Sequence, residues 1–119
     1  MPAFKQLTSI SIDDVDLDVE FSARTTLISG QIDWSVGAIF KLTLIATTSI
    51  TFVNYSTSLN KVITILATGD YSLSFPSNVK IISGAYDGKV MNYIQIHCVE
   101  NVKDKEEFWC TISQATPND

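Results

Sequence analysis

Apolar and polar positions alternate along most of this chain with a period of two. Val15, Leu17, Val19 and Phe21 alternate with Asp14, Asp16, Asp18 and Glu20. Phe40, Leu42 and Leu44 alternate with Lys41 and Thr43, and Tyr71, Leu73 and Phe75 with Ser72 and Ser74. Such runs fit strands with one face buried and one in water. Their Thr, Ile, Val and aromatic residues suit a half-buried pleated surface. No stretch shows the three-to-four spacing of an amphipathic helix. The expected fold class is all-β, an antiparallel β-sandwich-like domain, with strands over residues 4–114.

Turn chemistry divides the strands. Asn54 to Asn60 is a Ser/Thr/Asn-rich loop, and Pro76, which lacks an N–H for a ladder, closes the strand before it. Gly84 to Lys89 is a turn between strands at Val79–Ile82 and Asn92–Val99. The charged run Asn101 to Glu107 joins the latter to a final strand, Phe108 to Ser113. The tail 115–119 has nothing to bury and is expected to fray. One internal echo stands out: Leu42-Thr43-Leu44-Ile45-Ala46-Thr47 reads almost as Ile63-Thr64-Ile65-Leu66-Ala67-Thr68. Each copy precedes a small polar turn and another strand, which predicts two neighbouring hairpins of one sandwich. Two copies are fewer than a solenoid requires.

The 119 residues suit a single domain, 1–119, with an acidic, strand-forming segment at 1–30. Apolar residues make up 45% and charged residues 18%, which argues for a folded chain. The net charge of −5 resides in Asp13, Asp14, Asp16, Asp18 and Glu20, because the other acidic residues are matched by eight basic ones. With no basic stripe, nucleic acid is not an expected partner. Membrane insertion is not expected either: no run approaches the roughly 20 apolar residues of a span. The N-terminal residues lack the pattern of a signal peptide, so synthesis in a cytosol is expected. Cys98 and Cys110 are too few for a disulfide framework or a zinc site and are expected as reduced, buried thiols.

Catalysis finds few groups to use, and neither an enzyme activity nor a cofactor is expected. His97 is the one histidine, and the adjacent Cys98 points to the opposite face of any strand that holds both. Asp16, Asp18 and Glu20 recur along one strand face at intervals of roughly 7 Å. A solvated strand gives none of them the raised pKa of a glycosidase acid. Calcium is disfavoured because no EF-hand glycine or twelfth-position glutamate follows. The aromatic set carries more. If Phe108 and Cys110 face inward, Trp109 faces outward with Thr111 and Ser113, opposite the strand of Tyr93, Gln95 and His97. Tyr93, Gln95, His97, Trp109 and Thr111 are therefore the candidate ligand or subunit-interface surface, flat apolar area beside hydrogen-bonding groups. A subunit contact, burial under a second sheet and a free ligand surface are its three possible uses.

The order of these pieces resembles a known family. Ser74-Phe75-Pro76-Ser77-Asn78-Val79-Lys80-Ile81-Ile82-Ser83-Gly84-Ala85-Tyr86-Asp87 runs on to Asn92-Tyr93-Ile94-Gln95-Ile96-His97-Cys98. Ile32-Asp33-Trp34 and an expected hairpin from Phe40 to Phe52 lie upstream, and Phe108-Trp109-Cys110-Thr111-Ile112-Ser113-Gln114 downstream. Together, over residues 31–114, they resemble the β-rich module of bacteriophage virion fibres and tail-fibre-like receptor-binding proteins. The resemblance implies a virion structural protein: a tail-fibre, spike or capsid-attached fibre subunit with a role in host attachment or decoration. It implies a homotrimer made in the bacterial cytoplasm and located in the virion, with other virion proteins and a host surface glycan as partners. A carbohydrate-binding module without catalytic activity is the alternative reading.

Overall fold

Most strand ladders in the computed structural model run parallel, not antiparallel. The structure describes residues 25–27 and 29–115, so the predicted acidic strand at Val15–Phe21 and the predicted fraying of the tail from residue 116 onward lie outside the described residues. The described elements are all strands: β1 (Thr25–Leu27), β2 (Gln31–Asp33), β3 (Ile39–Thr43), β4 (Thr48–Ser49), β5 (Thr51–Val53), β6 (Val62–Thr68), β7 (Leu73–Ser74), β8 (Val79–Ser83), β9 (Asn92–Glu100) and β10 (Glu107–Gln114). A mixed sheet runs in the order β1-β3-β6-β9-β10-β8, accompanied by the two-stranded ladders β2-β5 and β4-β7. Only β9 runs against its neighbours β6 and β10; the β1-β3, β3-β6, β2-β5, β4-β7 and β8-β10 pairs are parallel.

The two expected hairpins are instead successive coils of a short parallel winding. Ile39 lies beside Thr64 and Thr48 beside Leu73, a constant stagger of 25 residues. The echo in the sequence has a stagger of 21 and pairs nothing, because Leu42 lies beside Ala67. Period-two alternation fixes which side chains face inward but is silent on strand direction. Direction is decided where the chain leaves each strand. After Leu44 it turns away from the sheet through Ile45–Thr47 and enters β4 and β5. These pair on one side with the coil before, Gln31–Asp33, and on the other with the coil after, Leu73–Ser74. The Leu44 and Ile50 amides continue that stacking by donating to Thr68 and Ser74 carbonyls at 2.8 Å.

Close stacking of coils requires glycine at two points. Gly69 has φ +119°, and a Cβ there would run into the Leu44 backbone of the coil below; Gly30 lies against the Ser49 carbonyl in the same way. The predicted turns are otherwise in place. Asn54 and Asn60 bound their loop with φ of 57° and 68°, values that asparagine tolerates better than most residues. Pro76 ends the strand before it, and its carbonyl accepts the Val79 amide at 3.0 Å, opening β8.

The inner face of the sheet carries the core in register. Phe40, Ile65, Ile94 and Ile112 form one row, and Ile63, Ile96, Cys110 and Ile81 another. Ile32, Trp34 and Ile50 of the coil walls are buried against it. Among the described residues this second layer stops at β7, and Ile81 of β8 is 47% exposed although it belongs to the inner face.

The β9–β10 connection corrects the expected register. Symmetry about Asp104 places Cys98 opposite Cys110, yet Cys98 pairs with Phe108 and Cys110 with Ile96. Glu100 and Glu107 already pair one residue off that symmetry, and an irregularity between Glu107 and Phe108, which leaves Val99 without a partner, adds one more. From Cys98 onward the pairing is therefore shifted by two residues, and those side chains keep their faces. Asp104, at φ 68°, makes the turn. Both cysteines are buried, free thiols. Burial raises the Cys98 thiol above its ordinary range and pushes Cys110 up to about 11. At pH 8 the Cys110 thiolate fraction is then roughly a thousandth, so folded protein should resist iodoacetamide. Unfolding without reductant should release two alkylation sites by intact mass; a product two mass units light that takes no label would disprove free thiols. Because both thiols titrate higher folded than unfolded, their contribution to stability is complete below about pH 9 and is lost as pH rises, for Cys110 toward 11.

Candidate functional site

The outer face of the sheet brings all five predicted surface residues together. Three consecutive cross-strand rows hold them: Val62-His97-Trp109-Lys80, Thr64-Gln95-Thr111-Ser83 and Leu66-Tyr93-Ser113. They project outward because their neighbours Ile94, Ile96, Cys98, Phe108, Cys110 and Ile112 take the inner face, as the alternation requires. Tyr93 and Trp109 are 44% and 39% exposed, and Val62 and Ile82 extend the apolar area. The Trp109 indole N–H donates to the Glu107 carboxylate two residues away, which holds the ring against the sheet. His97 is half-buried rather than a free surface histidine, and its Nε2 is enclosed with no hydrogen-bond partner among the described residues. The rows surround a depression of about 210 Å³ lined by Val62, Ile82, Gln95, His97, Trp109 and Thr111.

A second concavity lies on the opposite side of the sheet, over β8 and the end of β10. It has a volume of about 810 Å³ and lies where, among the described residues, the second layer ends at β7. Its floor includes Ile81 and Ile112, and Phe75 closes one side. The mouth is made by two short segments, Asp70–Tyr71 and Tyr86–Gly88. Tyr86 is anchored by donating its hydroxyl to the Gly69 carbonyl at 2.7 Å. Its burial, and then the nearby Asp70 and Asp87 carboxylates, raise the phenol above its ordinary range. Asp87 accepts the Lys89 amide through Oδ1 at 3.0 Å, a local turn that leaves its second oxygen available.

The loop that carries Tyr86 and Asp87 is fastened by a buried polar cluster. Asn92 is fully buried; its Nδ2 donates to the carbonyls of Asp87, Val90 and Ala67 at 2.6, 3.0 and 3.2 Å. Its Oδ1 accepts the Asp87 amide at 2.9 Å and the Gln114 side chain at 2.7 Å. Sequence reasoning missed this cleft. Its two mouth segments, Gly69-Asp70-Tyr71 and Tyr86-Asp87-Gly88, each place a tyrosine beside an aspartate at a glycine turn, the one signal that could have marked it.

Among the described residues no group of three or more His, Cys, Asp or Glu side chains is arranged to hold a metal ion. No described helix is long and apolar enough to cross a membrane. No family model, curated protein or solved structure matches the chain.

Proposed function

We propose that the chain is a structural subunit of a bacteriophage virion, in a tail fibre, spike or capsid-attached fibre, and that it self-associates through the outer sheet face, three copies preferred. The observation that carries the reading is the row of Val62, His97, Trp109 and Lys80 with its neighbours Leu66, Tyr93 and Ile82. This is an amphipathic aromatic and aliphatic patch on regular strands. Tryptophan and tyrosine on a flat, polar-rimmed surface are the residues that dominate protein–protein contacts. The ordered resemblance over residues 31–114 supports placing that contact in a phage fibre. The same face as a glycan platform is less favoured, because its depression of about 210 Å³ falls below the roughly 300 Å³ at which small-ligand sites begin.

Light scattering at micromolar concentration should give about three times the 13.1 kDa of one chain. Replacing Trp109 and Tyr93 together with lysine should return it to the single-chain mass, since each exposed position tolerates a charge in the monomer but not under a partner. A wild-type mass near 13.1 kDa would remove the assembly reading. Virion membership is checked separately, by antibody labelling of intact particles in the electron microscope.

A further inference from the structure

The cleft between Tyr71 and Tyr86 is built unlike the outer face. It is large, it lies on the other side of the sheet, and its chemistry is divided. The floor is apolar where Ile81 is left half-exposed on the core side. The mouth carries two carboxylates, Asp70 and Asp87, and Tyr71, which is 50% exposed. An anionic ligand such as a phosphate or an acidic polysaccharide would meet those carboxylates and the net charge of −5. A purely apolar ligand would strip water from the carboxylates and return no hydrogen bond. A divalent cation finds too few ligands. A pyranose ring satisfies both halves, because its C–H faces pack on aromatic and aliphatic surface while its hydroxyls donate to carboxylates. The volume of about 810 Å³ lies inside the roughly 300–1,000 Å³ range of ligand sites.

We propose that this cleft binds an uncharged oligosaccharide, with a sugar ring stacked on Tyr71 and its hydroxyls donating to Asp70 and Asp87. The loop holding Tyr86 and Asp87 is fixed beforehand by Asn92, so little ordering accompanies binding. The site does not depend on self-association through Trp109, and the two ideas fail separately. The test is a printed array of neutral gluco-, galacto-, manno- and N-acetylhexosamine oligosaccharides with their sialylated and uronic counterparts, probed with the full chain.

Binding is expected on uncharged glycans, with acidic counterparts roughly tenfold weaker. Tyr71→Ala and Asp70→Asn, both at exposed positions and checked for folding by circular dichroism, should each weaken it by roughly tenfold. In solution titration with a soluble oligosaccharide chosen from the array, where avidity plays no part, Trp109→Ala should bind like wild type even where it alters the mass in light scattering. The proposal is overturned if no uncharged glycan binds, which is also the result expected of a cleft that takes a peptide strand. It falls equally if the cleft variants bind like wild type, or if Trp109→Ala abolishes binding.

Discussion

Replacing Asn92 with leucine should lower the unfolding free energy by on the order of 4 kcal/mol, because it orphans the buried Ala67 carbonyl and three part-buried groups, the Asp87 amide and the Asp87 and Val90 carbonyls, at roughly 1–3 kcal/mol each. Leucine matches the volume but supplies neither the donors to Ala67, Asp87 and Val90 nor the acceptor for the Asp87 amide. These partners belong to two segments, the end of β6 and the loop between β8 and β9, and Asn92 itself opens β9. One amide therefore holds the mouth of the cleft to the sheet. Aspartate at this position would bring a carboxylate against three carbonyls and should be at least as harmful. Gln114→Ala removes only the outer members of the cluster, Ala85 and Asn92 Oδ1, and should cost about 1 kcal/mol. Urea titration followed by tryptophan fluorescence distinguishes the two. A loss for Asn92→Leu no larger than that for Gln114→Ala would mean that the cluster contributes little.

The sequence reading placed side chains on the correct faces where alternation was strong. Phe40, Leu42, Ile94, Ile96, Cys98, Phe108, Cys110 and Ile112 are buried, while Trp109 and Tyr93 are exposed. A one-residue slip would bury Lys41 or expose Phe40, so the pattern allows no other orientation. Strand direction and partner choice were not legible, for they depend on where a turn sends the chain. Thr48-Ser49 and Gly69-Asp70 look alike as turns whether a hairpin or a coil follows, yet Thr48–Ser49 is the strand β4. The two-residue shift between β9 and β10 was hidden for a related reason: the off-centre turn and the extra residue at Val99 each move the pairing by one, and a shift of two leaves the alternation of residues 92–98 and 108–114 looking the same.

The five-residue surface could be read from sequence because its members lie on two strands joined by one short connection. The cleft could not. Asp70–Tyr71 and Tyr86–Asp87 meet only because β8 lies beyond β10 while the chain returns to β9, so that both crossings pass over an uncovered stretch of sheet. Pairing order of that kind leaves no periodic trace. Asn92 was equally hidden: it opens a strand beside the Asp87-Gly88 turn, where asparagine ordinarily faces water.

Phe108→Ala should cost about 4 kcal/mol, the usual range for emptying a buried phenylalanine site being roughly 3–5 kcal/mol. Phe108 is fully buried, with ring centroids 4.6 Å from Phe52, 5.3 Å from Trp34 and 5.4 Å from Tyr55. Those three rings come from the coil walls, so the Phe108 side chain joins the second layer to the sheet at the end away from the cleft. Its loss should also weaken the near-ultraviolet circular dichroism of Trp34, whereas Asn92→Leu should spare that signal in the protein that remains folded. Phe108→Leu, which keeps most of the volume, should cost about 1.5 kcal/mol or less. Asn92 pairs with Gln114, six residues along β10 from Phe108, a separation of roughly 20 Å at strand spacing. Effects that far apart add. The double variant should therefore lose about 8 kcal/mol, against the 5–15 kcal/mol typical of a whole domain. It should show a random-coil spectrum or a midpoint close to zero urea. A double variant whose loss falls several kcal/mol short of the sum would show that the two ends of the sheet are coupled through the core.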